Sequence, residues 1–415
     1  MKNRANQRNA IAGMKSIVIT LAFVFLFVVA VLLDLQYLYL MAVTLAVLPL
    51  ASYAIAYFFA ARFSGERLHL DTAREGKAFH IQLKLRSLGG LPQTTVRIRE
   101  AIPAFLLLEG RDDPEIPLKD WNGREGYAEY ALIPQKRGVY QLGPTNLETT
   151  DPLGLFTFTA TIPVQSTMVV LPEPLPMYDS AQGGEGTYGL RERDGKTRRG
   201  DGMDFHGVRE YRMGDPLRRV HWPSSARRGH LVVVEHERAY QQDTVIALDL
   251  SKDAEYGVGR ETTLEYAIKA AATLADRTLA AGGGVTLVTQ RGHLTVRPSD
   301  GDPAVGRFQL LNTLAGFECD AVTSLSEALQ GLPPESGRHW AVLTSEGDSK
   351  LTGFLNRRVQ LGDSVNVFFF EPSSFGGPLV TSPAVAGAEL RIIERQHSPW
   401  EEGGRWFERI IRETI

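Results

Sequence analysis

Three changes of pattern along this chain predict a multidomain protein: a transmembrane helical hairpin, an all-β sandwich and a doubly wound α/β domain. Two apolar runs separated by three residues open the chain, and short period-two runs broken by Gly and Pro follow. Beyond residue 243, continuous apolar strands alternate with stretches of helical spacing. The divisions fall at 1–62 for the tail and hairpin, 63–175 for the sandwich, 176–242 for a linker with an Arg-rich segment, and 243–415 for the α/β domain. A length of 415 residues with 43% hydrophobic composition supports two or three such cores.

The apolar runs are Ile17 to Leu33 and Tyr37 to Ala61, with only Asp34, Leu35 and Gln36 between them. At about 1.5 Å per helical residue, the first is just long enough to cross a hydrocarbon layer of about 30 Å, and the second comfortably so. Lys2, Arg4, Arg8 and Lys15 precede the hairpin, and Arg62 and Arg67 follow it, so positive charge lies on the side opposite Asp34. That asymmetry predicts a two-pass protein of the cell inner or plasma membrane with both termini and the soluble domains in the cytoplasm. A cleaved signal peptide is the alternative for the first run. Against it, a second apolar run begins almost at once, and no small-residue cleavage site leads into a polar start.

From Arg67 to Pro172, runs such as Phe79-His-Ile-Gln-Leu-Lys-Leu and Thr95-Val-Arg-Ile-Arg alternate apolar and polar residues, broken by Gly89-Gly90, Pro103 and Gly123. This is the pattern of antiparallel strands with one face buried and one wet. Pro134-Gln-Lys-Arg-Gly-Val-Tyr reads as a turn entering a strand, and Asp151-Pro-Leu-Gly-Leu-Phe as a turn returning to the core. Ser180 to Asp201 is rich in Gly and charge and reads as a linker.

After Asp243 the expected order is a strand Thr244–Leu248, a helix over Thr262–Ala281 and a strand Val285–Thr289. Helices near Val305–Leu314 and Leu325–Leu332 come next, then a strand Trp340–Thr344, a helix near Leu351–Leu361 and a strand Val365–Phe370. Strands that are apolar throughout specify a mostly parallel sheet covered on both faces. Trp406, Phe407, Ile410 and Ile411 predict a closing amphipathic helix.

The net charge of −3 and the interleaved acids argue against a nucleic-acid binder. The lone Cys319 excludes an intrachain disulfide. His206, His221, His230 and His236 match no common zinc spacing. Neither a Gly-x-Ser-x-Gly elbow nor a phosphate loop is present.

The densest polar stretch runs from Gly200 towards the strand at Thr244. Its Gly200, Phe205, Gly207, Arg209, Glu210, Tyr211, Gly214, Asp215, Arg218, Trp222, Ser225, Ala226, Arg227, Leu231 and Val233 resemble the signature of the membrane-protein family called domain of unknown function 58. Pro134, Lys136, Arg137, Gly138, Tyr140, Gly143 and Pro144, with Asp151 to Phe156, resemble that family's preceding β-rich region. The resemblance implies a bacterial or archaeal membrane protein with a von Willebrand factor type A-like domain after the signature. It implies as partner a MoxR-type AAA+ ATPase.

In von Willebrand type A domains, the loop after the first strand carries Asp-x-Ser-x-Ser and holds a divalent cation, with a Thr and an Asp from later loops. Here the loop reads Asp249-Leu-Ser251-Lys-Asp253, and the later positions fall on Thr323 and Glu346. Asp253 and Glu346 depart from the pattern. The resemblance therefore implies an Mg²⁺ site of Asp249, Ser251, Asp253, Thr323 and Glu346, one of the metal ion-dependent adhesion type. Taken alone, Asp249 and Ser251 serve equally as helix caps and acceptors for loop N–H groups.

In the signature, Arg209, Glu210, Tyr211, Asp215, Arg218, Trp222 and Arg227 form either a partner-binding surface or an internal salt-bridge lattice, since Arg pairs in bidentate fashion with carboxylates in both cases. The function expected is a membrane-anchored cytoplasmic adaptor or scaffold that binds protein partners and the lipid bilayer. The alternatives are a cell-envelope hydrolase or transferase using Asp249 and Asp253 as acid and base, and a metal-free structural scaffold.

Overall fold

The computed structural model describes residues 2–59, 63–88, 96–110, 115–150, 156–176, 199–200, 204–210, 222–237, 243–298, 302–332, 337–396 and 398–412. It divides into two compact units, Met1–Glu173 and Pro174–Ile415.

The first unit opens with α1 (Lys2–Leu33) and α2 (Gln36–Phe59). Asp34, with φ of 48°, turns the chain between them, and the two helices pack on each other. Ala30 and Ala42 are fully buried, whereas Ile17, Leu21, Phe25, Leu32, Leu40 and Leu50 are exposed. Small residues at a helix contact with large apolar ones facing outward are the distribution expected in lipid. One window, Gln36–Ala54, is long and apolar enough to cross a membrane; Ile17–Leu33 is a shorter apolar segment. The helix α1 also continues through the polar residues ahead of Ile17, beyond the apolar run itself.

Twelve strands follow among the described residues. They are β1 (Phe63–Leu68), β2 (Thr72–Arg74), β3 (Phe79–Ser87), β4 (Val96–Glu100), β5 (Leu106–Leu108), β6 (Glu115–Ile116), β7 (Leu118–Lys119), β8 (Glu125–Pro134), β9 (Gly138–Leu142), β10 (Thr145–Thr150), β11 (Thr157–Ile162) and β12 (Ser166–Leu171). Their sheets run β1-β3-β8-β5 with β7 on β8, β11-β10-β4-β6, and β2-β12-β9. Pairing is antiparallel except between β2 and β12. Strand β3 alternates buried and accessible residues along its whole length, as a one-sided sheet requires. Ile81, Leu83, Ile98, Leu132, Leu147, Met168 and Val170 join the three sheets in one core. The turn expected after Pro134 falls between β8 and β9; the one at Asp151 lies outside the described residues.

In the second unit, β13 (Arg199–Gly200) and β14 (Asp204–Glu210) both pair with β15 (Val232–Glu237), and the seven-residue α3 (Trp222–Arg228) precedes β15. Strands β16 (Thr244–Leu248), β17 (Gly257–Val258), β18 (Glu261–Thr262), β19 (Val285–Thr289), β20 (Gly292–Val296), β21 (His339–Thr344), β22 (Ser364–Phe370) and β23 (Glu389–Ile393) follow. They are interleaved with α4 (Thr263–Ala280), α5 (Pro303–Ala315), α6 (Leu325–Gln330), α7 (Ser349–Gln360), α8 (Pro399–Glu402) and α9 (Gly404–Arg412). Six of these strands form a mixed sheet in the order β20-β19-β16-β21-β22-β23. Only β20 runs antiparallel to its neighbour.

The strands β16, β19 and β21 are buried at every position, because helices cover both faces. Val245, Ala247, Val342 and Val367 pack with Leu325 and Leu329 of α6 and with Leu351 and Leu355 of α7. The opposite side is met by α4, which contacts β16, β19, β21 and β22. The expected strands and helices of this half are present. Two strands without an expectation, β20 and β23, close its edges.

Candidate functional site

The parallel register brings three strand ends together. Ala247 pairs with Val288 and Leu248 with Leu343, so Asp249 and Gln290, each the first residue past its strand (β16 and β19), lie beside Thr344, the last residue of β21. In open α/β sheets this edge is where ligands bind.

Asp249 is 6% exposed and Ser251 8%. The Asp249 Oδ1 accepts from the Ser251 N–H at 3.1 Å, the Ser251 hydroxyl at 2.6 Å and the Gln290 amide nitrogen at 2.8 Å. Its Oδ2 accepts from the Thr344 hydroxyl at 2.8 Å. Gln290 Nε2 also lies 3.2 Å from the Ser251 Oγ, while its Oε1 accepts the Leu250 N–H at 3.0 Å. A neighbouring loop is fixed against this one, since Lys252 donates to the Ala321 carbonyl and Ala321 to that of Leu250, each at 3.0 Å. Among the residues expected to hold a metal, Asp249 and Ser251 therefore meet directly. Thr323 is exposed beyond the Ala321 bridge, and the threonine that reaches Asp249 is Thr344.

Around this centre the charge is negative. Asp253 is exposed on a single 3-10 turn, Lys252–Ala254. Glu346 is half-buried two residues past β21. Burial, then the charges of Asp249, Asp253 and Asp348, push the Glu346 carboxyl up to about 6. Burial with Glu346 and Asp253 likewise raises the Tyr256 hydroxyl. A Cβ at Gly347 would collide with the Thr381 carbonyl and one at Gly377 with the Tyr256 ring. Those two close approaches seat the 377–381 segment beside Glu346. On the same edge, Val258 is 81% exposed, Leu379 86% and Val322 96%.

The donor set does not fit a bound Mg²⁺. That ion demands near-octahedral oxygen ligation, whereas here a donor nitrogen faces both Asp249 and Ser251. Reversing the amide would set Gln290's NH₂ against the Leu250 N–H, so the orientation is fixed by its partners. Among the described residues, no group of three or more His, Cys, Asp and Glu converges to hold a metal. With four donors on its two oxygens, Asp249 is also a poor general base for the hydrolase alternative.

For the signature residues, Arg209 and Glu210 lie on β14, opposite Val233 and Val232 of β15. The strand slips register between Phe205 and Gly207. Trp222 is 63% exposed at the start of α3 and Arg227 is exposed near its end, while Ser225 is buried. Tyr211, Asp215 and Arg218 lie outside the described residues, as does nearly all of the expected linker.

A surface cleft of about 490 Å³ on the first unit is lined by Ser64, Glu66, Lys84, Arg86, Asp120 and Tyr127, among others. Its charged groups are exposed, and Arg86 is held by Glu125 at 3.0 Å. No convergent buried group marks it as a site, and the strand-end edge is the better candidate.

Residues 207–346 match the family model described as "Protein of unknown function DUF58". The match runs from β14 to Glu346 and bears out the family resemblance over that segment. No curated protein matches the chain. Among solved structures, the cohesin module from a Clostridium perfringens family 33 glycoside hydrolase is similar at 13% identity and a TM-score of 0.18, over 27% of this chain and 99% of that one. The CARDB domain of PF1109 from Pyrococcus furiosus is similar at 14% identity and a TM-score of 0.17. Its solution structure covers 26% of this chain and 94% of its own, and its crystal structure with di-metal ions covers 26% and 87%.

Proposed function

We propose that this chain, whose residues 207–346 carry the DUF58 signature, is a membrane-anchored adaptor. A two-pass hairpin anchors it in the inner or plasma membrane, its soluble units face the cytoplasm, and a von Willebrand type A-like domain receives a protein partner at the carboxyl ends of β16 and β21. The observation that carries this reading is the acidic group of Asp253, Glu346 and Asp348 beside Asp249, where burial first and the neighbouring charges second push the Glu346 carboxyl up to about 6, with Val258, Val322 and Leu379 exposed on the same edge. Like charges are kept together at such a cost where an opposite charge relieves it. The complementary partner surface carries Lys or Arg flanked by apolar side chains. The family resemblance supports a MoxR-type AAA+ ATPase as that partner, and Trp222 and Arg227 on α3 offer a second contact.

Capture from native membranes with the full chain in detergent tests this, comparing wild type with Asp253→Lys. Asp253 is exposed, so the substitution reverses charge without disturbing the core. An AAA+ ATPase retained by wild type and lost with Asp253→Lys is the expected result. Equal retention by both, or no ATPase with wild type, would contradict the reading.

A further inference from the structure

We propose that Gln290 is the resident occupant of the strand-end centre: its amide nitrogen takes the position a cation would share with Asp249 and Ser251, so this edge engages its partner without a metal. The inference rests on the docking role proposed for the same edge and specifies what the centre accepts.

Three contacts fix the amide. Oε1 accepts the Leu250 N–H at 3.0 Å, and Nε2 donates to Asp249 Oδ1 at 2.8 Å while lying 3.2 Å from Ser251 Oγ. A cation bridging Asp249 and Ser251 would have to displace this nitrogen, and the displaced side chain would leave the Leu250 N–H without its acceptor. Thr344 closes the other carboxylate oxygen at 2.8 Å and accepts the Glu346 N–H at 3.0 Å. The hydrogen-bonded centre thereby runs without interruption from Gln290 to the backbone of the acidic residue at the rim. Gln290 acts as a positioning residue, holding Asp249 and Ser251 in place as a bound ion does in a metal-dependent loop. Unlike an ion, it is neutral, so the negative charge of Asp249 stays uncancelled within the centre, and that of Asp253 and Glu346 at the rim stays available to a cationic side chain.

The test is Mn²⁺ binding by the full chain in detergent, followed by the paramagnetic resonance of free Mn²⁺ and by thermal stability. Gln290→Glu keeps the acceptor for the Leu250 N–H and replaces the donor nitrogen with an anionic oxygen. Gln290→Ala empties the position. Both are expected to bind Mn²⁺ more tightly than wild type, by about tenfold or more. Mn²⁺ is expected to raise the melting temperature of Gln290→Glu, since a ligand of the folded state alone stabilises it. Adding Asp249→Asn should abolish the gain. Wild type binding Mn²⁺ as tightly as Gln290→Glu, with Asp249→Asn removing it, would overturn the proposal. So would a failure of both Gln290 variants to gain affinity. A variant that does not fold is excluded by its circular dichroism, and the other then decides. Partner capture by wild type in EDTA is a separate arm. Retention in EDTA agrees with the proposal and loss in EDTA overturns it. Absence of any partner in every buffer sinks the docking role alone and leaves the Mn²⁺ comparison standing.

Discussion

The β unit and the α/β unit each bury a carboxylate among hydroxyl and nitrogen donors, yet the two centres have opposite surroundings. In the β unit, Glu100 is ion-paired with Arg67, and both side chains are essentially inaccessible. Thr145 links them, accepting from Arg67 at 2.9 Å and donating to Glu100 at 2.9 Å, and Arg67 reaches on to Ser166 at 3.2 Å. Burial pushes the Glu100 carboxyl up, against the pull of Arg67. In the α/β unit, Asp249 has only neutral donors, and its neighbours are further acids. A saturated polar network thus does not by itself identify a site. The β-unit network is closed by its own counter-charge inside a sheet core, whereas the strand-end network leaves charge uncompensated at an accessible rim.

Breaking the closed network should cost most. Glu100→Gln leaves the Arg67 guanidinium buried without its counter-charge, and a loss of about 3–5 kcal/mol is expected in denaturant unfolding of the full chain. A joint replacement of Arg67 and Glu100 by Met and Leu should recover most of it. If the single change costs no more than an exposed ion pair, the contrast between the two centres fails.

The next largest effect is expected at Asp249. Asp249→Ala removes the acceptor for Ser251, Gln290 and Thr344, and about 1–3 kcal/mol should be lost, together with partner retention. A stability loss with undiminished partner retention would reduce Asp249 to a structural part like Glu100.

Glu346 sharpens the comparison through pH. Its folded carboxyl keeps a proton up to about pH 6, against 4.5 for the ordinary group. The folded state therefore binds more protons between these values. The stability this contributes is fully present below about 4.5 and is lost as pH rises through about 6. Melting temperatures of wild type should fall across that window relative to Glu346→Gln, and the two should converge at its acid end. Parallel profiles would mean that neither burial nor the acids at the rim raise the Glu346 carboxyl.

Smallest in stability are Val322→Ser and Leu379→Ser. Both side chains are exposed, so changes within about 0.5 kcal/mol are expected, while partner retention drops. Undiminished retention would remove the apolar rim from the docking surface.

Much of the fold was legible in period and punctuation, because α1 and α2, β3, β16, β19, α4, β21, α7 and β22 each carry a long, single-valued pattern. The edge strands β20 and β23 were not. Gly292-His-Leu-Thr-Val and Glu389-Leu-Arg-Ile-Ile mix polar residues into short segments, and Arg391 is buried only because Asn366 and Glu389 pair with it at 2.6 Å each. In α3, Pro223 at the second position was an available helix-start signal. At the site, loop order pointed to Thr323, but side-by-side strand ends decide which hydroxyl reaches Asp249. That depends on β16 lying between β19 and β21, and spacing along the chain does not encode it. Gln290 was hidden for the same reason, since it stands beside Asp249 only through the β16–β19 register.

The most direct measurement places a photo-crosslinking residue at Val322, or separately at Leu379, in the full-length chain within its native membrane, with and without Asp253→Lys. The account predicts an adduct with an AAA+ ATPase from both positions that is lost on charge reversal. Adducts insensitive to Asp253→Lys, or no adduct from either position, would contradict an acidic docking edge at the strand ends.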